Sequence, residues 1–166
     1  MCPSLPPDEI LAAAGSSLDL GPTDTLDIGR LAAHPLLLLE PGYSVRVQFN
    51  AACRLAHVKP TIVFESLAPH TELALAEAGQ GVAIIPSLLR TDRYVLTIYR
   101  VTHRGAPLQE GLVVQWDRRR LLPPYAERFR EALATHAREV LPVTQPSRRG
   151  APAARKQAPT RPSRRR

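Results

Sequence analysis

The chain has 166 residues, which gives room for one domain. Its formal charge of +7 belongs to the C-terminal end, because residues 144–166 carry eight Lys and Arg and no acid, whereas residues 1–143 carry 14 basic and 15 acidic side chains. Cys2 and Cys53 are too few for a disulfide framework or a cysteine metal site, and the longest aliphatic run, 36–39, is far below the ~20 residues that span a bilayer. These features favour a cytoplasmic protein with no cofactor and no metal.

Both ends of the chain are expected to have little fixed structure. Residues 1–25 are rich in Pro, Gly, Ser and Asp and contain one weak helical candidate, Asp8–Ala14. Residues 143–166 form a basic tail with Pro, Ser, Gly and Ala, a composition typical of disorder. Such a tail can bind nucleic acid through salt-sensitive contacts, although a solvated extension is the favoured interpretation. No signal peptide is visible, and the folded domain is predicted over 26–142.

The first predicted elements lie between residues 27 and 56. Asp27–Ala33 fits one short helical turn, and Leu36–Leu39 is an aliphatic run typical of a strand. Glu40–Ser44 is a tight loop. The helix that follows carries apolar residues at helical spacing on one face: Val45, Phe49, Ala52, Cys53 and Ala56.

A strand, a helix and a second strand are predicted over residues 61–86. Thr61–Phe64 is short and β-branched and is expected to be a buried strand. Ser66 suits a helix N-cap, with Pro69 in the first turn, and Gly79 suits the C-terminal end. Val82–Ile85 then forms a strand, so that the unit is a parallel crossover. The predicted apolar stripe of the helix consists of Leu67, Thr71, Ala74, Leu75 and Ala78, widened by Leu73 and Ala76.

The C-terminal half contains two further predicted strands and one helix. Tyr94–Val101 and Gly111–Trp116 have the β-branched and aromatic content of strands. Pro123 and Pro124 open a helix that is closed by Pro142. Its partial apolar stripe is Ala126, Phe129, Leu133 and Val140.

Two serines define the candidate site. Ser44 and Ser66 each precede a helix and each follow a strand of the predicted parallel sheet, so both helix N-termini are expected at the same edge. Two hydroxyl-capped N-termini can bind one carboxylate from two sides, because unpaired amides and the helix dipole favour an anion there. Helix capping alone explains the same two serines without a ligand.

Catalysis and metal binding are weaker interpretations. Gly42–Arg46 partly resembles the G-x-S-x-G nucleophile elbow, but the second glycine is replaced by Arg46 and no convincing Asp and His follow. The five histidines show no ligand spacing, and Cys53 is expected to be a small core residue. The protein is therefore predicted not to be an enzyme.

Five segments of the sequence form a recognisable series: His34–Leu39, Gly42–Arg46, Phe64–Ser66, Leu73–Ser87 and Trp116–Arg119. Together, and in this order, they resemble the effector-binding domain of LysR-type transcriptional regulators. The resemblance runs from about Leu31 to Val140. It implies an α/β, periplasmic-binding-protein-like fold with a mostly parallel sheet, in which two subdomains hold a small-molecule effector between them. This chain resembles the second subdomain, and residues 1–25 do not match what precedes it in the family.

The resemblance implies effector contacts at six positions, with a small organic acid as partner: Gly42, Tyr43, Ser44, Glu65, Ser66 and Ser87. The winged helix-turn-helix of the family is not recognisable, so the chain looks like a truncated regulator that reaches DNA through an absent module or weakly through its tail. Two alternatives stay open, a non-functional remnant and an interaction module. The second predicts exposed Tyr125, Phe129 and Leu133 and a homo-oligomer formed through the 123–140 helix.

Overall fold

A mixed β-sheet with helices on both faces organises the chain. The computed structural model describes residues 5–115, 117, 119, 121, 123–141 and 143–147. The strands in this part of the chain are β1 (Asp8–Ala14), β2 (Thr25–Asp27), β3 (Pro35–Leu39), β4 (Thr61–Ser66), β5 (Val82–Pro86), β6 (Thr97–His103), β7 (Ala106–Pro107) and β8 (Gln109–Glu110). The helices are α1 (Ile28–Leu31), α2 (Ser44–Leu55), α3 (Pro69–Glu77) and α4 (Pro124–Val140).

The strand order is β2-β6-β1-β5-β3-β4, with β7 beside β6 and β8 beside β1. Strand β3 pairs in parallel with β4 on one side and with β5 on the other, and β2 pairs in parallel with β6. Strand β1 runs antiparallel to both of its neighbours, β5 and β6. The predicted mostly parallel α/β fold is confirmed, although the β4–α3–β5 connection passes over β3 and does not join neighbouring strands.

Alternating side chains divide the core between the two faces of the sheet. Leu36 and Leu38 of β3 pack with α1 and α2, whereas Leu37 packs with Leu73 and Ala76 of α3 on the opposite face. This is the period-two alternation that a central strand requires when both faces are covered. The predicted apolar face of α2 is confirmed, since Val45, Phe49, Ala52 and Cys53 are buried.

The expectation of little fixed structure in residues 1–25 is wrong for Asp8–Ala14. This segment is the strand β1 at the centre of the sheet, and the five residues from Ile10 to Ala14 are buried. Its run of three alanines has a helical preference, but pairing on both sides with β5 and β6 satisfies its backbone and outweighs that local preference.

The environments predicted for β4 and α3 are also wrong in part. Strand β4 lies at the end of the sheet, so that its apolar side chains are exposed, with Val63 at 52%. Helix α3 turns a different face to the sheet from the one predicted. Its buried residues are Glu72, Leu73 and Ala76.

In the C-terminal half, the observed helix agrees with the predicted one, whereas the observed strands differ from those predicted. Helix α4 begins at Pro124, directly after Pro123, as predicted. Strand β6 starts at Thr97, three residues later than expected. Residues 111–115 form no regular strand. Trp116 and Pro142 lie outside the described residues. Three apolar side chains of α4 are exposed as expected: Tyr125 (76%), Phe129 (68%) and Leu133 (40%).

Residues 143–147, which we call the C-terminal strap, are hydrogen-bonded to the domain. The amide of Thr144 donates to the Ser87 carbonyl oxygen (2.7 Å), and its hydroxyl donates to the Leu89 carbonyl oxygen (2.6 Å). Ser147 and Ile98 exchange two backbone hydrogen bonds of 3.1 and 3.3 Å. The prediction of disorder from residue 143 is therefore wrong for the strap, and residues 148–166 lie outside the described part. None of the described helices is long and apolar enough to cross a membrane.

Candidate functional site

The loops that follow β3 and β4 lie side by side. The two strands are parallel neighbours with Leu39 opposite Ser66, and the amide of Glu40 donates to the Ser66 carbonyl oxygen (2.9 Å). Carboxyl ends of neighbouring parallel strands are where open α/β sheets bind ligands. We call residues 42–44 and 65–67 at this edge the rim. It contains five of the six site residues that the sequence predicts.

Tyr43 connects the two halves of the rim. Its hydroxyl donates a hydrogen bond to the carbonyl oxygen of Leu67, with 2.7 Å between the two oxygens. Gly42, just before it, has a φ of +118°, a backbone conformation that an L side chain rarely adopts. The loop can therefore turn from β3 into α2 only because residue 42 has no side chain.

The two serines do not cap the helices in the predicted way. Helix α2 has Tyr43 at its N-cap with Ser44 as its first residue, and α3 has Ala68 at its N-cap, followed by Pro69. The Ser66 hydroxyl accepts a hydrogen bond from the amide of Ala68 (3.0 Å) in the turn before the helix. Among the described residues neither N-cap side chain bonds to its helix. The first turn of α3 nevertheless offers few amides to another partner, because Pro69 has no N–H and the Thr71 amide donates to the Ala68 carbonyl oxygen (2.9 Å).

The rim residue Glu65 forms an ion pair with Arg46. Arg46 Nη1 lies 2.6 Å from Glu65 Oε1 and donates to the Leu39 carbonyl oxygen at 2.8 Å. Its Nε donates to Asn50 Oδ1 (3.2 Å). The Arg46 side chain is buried, whereas that of Glu65 is half exposed, so Arg46 offsets the negative charge that Glu65 brings to the rim.

Ser87 follows β5 at the same edge of the sheet, but its side chain is buried. It is 1% exposed, and its hydroxyl donates to Asp8 Oδ1 (3.1 Å) while accepting from the amide of Glu9 (3.0 Å). Burial raises the pKa of Asp8 above its usual value, although the hydrogen bonds from Ser87 and Leu88 act in the opposite direction. The Ser87 hydroxyl is thus already used to join the end of β5 to β1.

Sequence reasoning missed the structural roles of Arg46 and Glu72. Glu72 is completely buried on the sheet-facing side of α3, and burial raises its pKa to about 8 against the lowering effect of Arg46. Both side chains occur in the first turns of helices, where charged residues are ordinarily solvated. One signal in the sequence was the spacing of Leu73 and Ala76, which puts both on the buried face of α3. Glu72 is adjacent to Leu73 and lies on that same face.

Cys53 and His70 lie in opposite environments, one buried and one exposed. Cys53 is buried in the core as predicted, and burial raises the pKa of its thiol. His70 is exposed and stacks on Tyr94 with ring centroids 6.0 Å apart. Within the described part of the chain, no group of three or more His, Cys, Asp or Glu side chains is arranged to hold a metal ion.

Two open cavities border the C-terminal strap. One of about 440 Å³ is lined by residues that include Arg90, Asp92 and Thr144, and one of about 350 Å³ lies beside the 19–24 loop. Both touch Ile98 and Ser147, and neither includes a rim residue.

This sheet order, with helices on both faces, defines an α/β domain with a periplasmic-binding-protein-like fold. Comparison with known proteins gives the family. The family model described as the LysR substrate binding domain matches residues 4–138, and the chain belongs to this family. The match starts well before Leu31, so the expectation that residues 1–25 do not fit the family is wrong.

Individual relatives agree with this assignment. The chain is 26% identical over 132 residues to the uncharacterized HTH-type transcriptional regulator YybE of Bacillus subtilis (strain 168), covering 80% of this chain and 44% of YybE. In fold it is similar to the regulatory domain of Synechocystis PCC6803 CcmR in complex with 2-PG (TM-score 0.69, 14% identity, 84% of this chain and 68% of that one). It is also similar to the effector binding domain of QuiR in complex with shikimate (TM-score 0.67, 11% identity, 85% and 66%). The chain thus spans less than half the length of the curated relative.

Proposed function

We propose that this chain is the effector-binding part of a cytoplasmic LysR-type transcriptional regulator and that it binds a small organic carboxylate at the rim. The observation that carries the proposal is the hydrogen bond from Tyr43 to Leu67, because it joins the loops that follow two neighbouring parallel strands into one surface. LysR-family regulators are transcription factors and not enzymes. The role proposed here is therefore equilibrium binding.

The chemistry of the rim favours an anion. The N-terminal turn of α2 presents amides without a side-chain cap, and the dipoles of α2 and α3 each add partial positive charge worth about 0.3–1 kcal/mol per ligand charge. Ser44 is exposed, so its hydroxyl can donate to a carboxylate. Ser66 is partly exposed, and its hydroxyl can do the same by giving up a long hydrogen bond of 3.5 Å to the Ala68 carbonyl oxygen. Arg46 offsets Glu65, which would otherwise repel an acid.

The ligands of two structural neighbours support a small-molecule effector. Shikimate, named for QuiR, is a small organic carboxylate, and 2-PG is named for CcmR. An effector alters transcription only when it binds two conformations with different affinity. We infer that DNA binding belongs to a module outside residues 4–138, and that the basic residues after 147 add at most a salt-sensitive contact.

Titration calorimetry of the full chain against shikimate and a panel of small carboxylic acids tests this function. We expect at least one acid to release heat, and Ser66→Ala to weaken that acid about tenfold or more, because a hydrogen bond to a charged group contributes about 1.5–3 kcal/mol. The matched control is Ser17→Ala, which should bind the acid normally. Ser17 is an exposed serine that follows β1, at the edge of the sheet opposite the rim. Heat from no acid would favour the remnant interpretation.

Ser44 also allows a direct test of the absence of catalysis. It is the exposed first residue of α2, where a nucleophile elbow would place its serine. We expect no hydrolysis of a nitrophenyl ester above that of Ser44→Ala. Turnover that disappears in Ser44→Ala would replace binding with acyl hydrolysis.

A second candidate function is self-association through α4. Tyr125, Phe129 and Leu133 are spaced by four residues and are all exposed, which makes one apolar stripe on this helix. Sedimentation should show a concentration-dependent dimer that is weakened by Phe129→Ser and unaffected by Glu139→Gln on the same helix. A clean monomer at tens of micromolar would remove this candidate.

A further inference from the structure

Within the described part of the chain, Glu72 is a buried carboxyl group without a hydrogen-bond partner. It is 0% exposed, and neither carboxyl oxygen has a hydrogen-bond partner among the described residues. A buried carboxylate without a partner is strongly disfavoured, so the group instead holds its proton. Burial accordingly raises the pKa of Glu72 to about 8.

The surroundings of Glu72 offer little to stabilise its charge. Arg46 is the one charged group with a resolved effect on it, and this effect lowers the pKa, but Arg46 is already bonded to Glu65 and Leu39. Strands β3 and β5 carry no titratable side chain. The remaining titratable or charged groups on the elements around α3 are Asp8 and Glu9 of β1, Glu65 of β4, His70 and Glu77 of α3 itself, and Arg90, Asp92, Arg93 and Tyr94 of the loop after β5.

Several of these neighbours are engaged elsewhere. Asp8 is bonded to Ser87, and Glu9 lies 2.6 Å from Arg100. Glu77 accepts from the amide of Val95 (2.6 Å), and the Tyr94 hydroxyl lies 3.3 Å from His70 Nδ1. None of these engaged groups bonds to Glu72, so its ionised form is stabilised once water reaches it.

Water can reach Glu72 when the first turn of α3 separates from the sheet. Glu72 is the fourth residue of α3, and the turn that carries it begins directly after the rim residues Ser66 and Leu67. We propose that Glu72 is a proton-dependent switch, which when protonated keeps the first turn of α3 packed on the sheet and when ionised favours a hydrated, open turn. Opening displaces one half of the rim, and only this consequence for ligand binding rests on the function proposed above.

The direction of the pH effect follows from the two states. In the open turn the carboxyl group is solvated and titrates near its ordinary value of 4.5, whereas in the closed turn it titrates near 8. The ratio of open to closed turns therefore rises with pH above about 4.5 and levels off above about 8. The expected rise is about 70-fold from pH 5 to 7 and about tenfold from pH 7 to 9.

Hydrogen exchange of the α3 amides in the full chain, corrected for intrinsic exchange rates and without any ligand, tests the switch. In wild type, the protection of the α3 amides should fall by these factors as the pH rises and then become constant. Glu72→Gln should show no such fall. Glu139→Gln changes an exposed glutamate on α4 and should behave as wild type. Glu72→Met serves if the glutamine variant does not fold, and a carboxyl ¹³C titration of wild type gives an independent reading. A Glu72 midpoint near 4.5, or the same pH slope in wild type and Glu72→Gln, would overturn the proposal without bearing on effector binding.

Discussion

The guanidinium group of Arg46 lies 2.6 Å from the carboxylate of Glu65 and joins helix α2 to the edge strand β4. The same Nη1 also holds the carbonyl oxygen at the end of β3. One buried side chain thus fixes the relative positions of the elements from which both halves of the rim start.

Removal of this side chain should loosen that edge of the sheet. We expect Arg46→Gln to lower the free energy of unfolding by about 1–3 kcal/mol, because a buried charge-assisted contact is lost and the Leu39 carbonyl loses a donor. Arg54→Gln, an exposed arginine on the same helix, should stay within about 0.5 kcal/mol of wild type. Equal losses in urea unfolding of the two variants would contradict this role.

The contact between Tyr43 and Leu67 can be removed by deleting a single oxygen. Tyr43→Phe should cost about 0.5–1.5 kcal/mol of stability and weaken any acid that binds at the rim, since the two loops are no longer joined. Tyr125→Phe on α4 removes an exposed hydroxyl as a control. Calorimetry and thermal unfolding of both variants check this, and unchanged affinity in Tyr43→Phe would show that the contact does not organise the rim.

Gly15 marks a close approach between the end of β1 and α3. Its amide donates to the Ala76 carbonyl oxygen (3.0 Å), and a Cβ at residue 15 would collide with that oxygen. We expect Gly15→Ala to lose about 1–3 kcal/mol of stability, because backbone on both sides must move. Gly111→Ala has open space around the new methyl group and should be nearly neutral. A neutral Gly15→Ala in chemical denaturation would contradict the packing of α3 on β1.

Global stability should also respond to the carboxyl group of Glu72. Its folded-state pKa of about 8 lies above the ordinary 4.5, so the folded protein keeps a proton that the unfolded chain has lost. The contribution of this group to stability is therefore complete below pH 4.5, falls as the pH rises and levels off above pH 8. Between pH 5 and pH 8 in urea unfolding, the free energy of unfolding of Glu72→Met should rise by about 3–4 kcal/mol relative to that of wild type. A difference that does not change with pH would sink this prediction.

Local sequence signals predicted the elements that are amphipathic or bounded by proline. The spacing of Val45, Phe49, Ala52 and Cys53 identified both α2 and its buried face. Pro123 and Pro124 gave the start of α4. The pairing that makes Asp8–Ala14 a central strand is non-local, and its alanine-rich run carries no alternation, since both faces are buried.

The placement of the two loops after β3 and β4 was predicted better than the capping of the helices that follow them. The parallel neighbours β3 and β4 bring both loops to one edge, as the order of strands and helices indicated. The capping prediction failed because Pro69 occupies the first position of α3, which makes Ala68 the N-cap and leaves Ser66 in the preceding turn. The burial of Glu72 and Ser87 depends on which face each element turns inward, and spacing alone did not determine it.

The C-terminal strap has a practical consequence for anyone who shortens this protein. Ser147 hydrogen-bonds to the backbone of Ile98 in a part of β6 that β2 does not pair with. Thr144 donates hydrogen bonds to the carbonyl oxygens of Ser87 and Leu89. Trimming the arginine-rich end for crystallisation should therefore stop after Ser147, because a cut at residue 142 would uncover a core strand and invite aggregation.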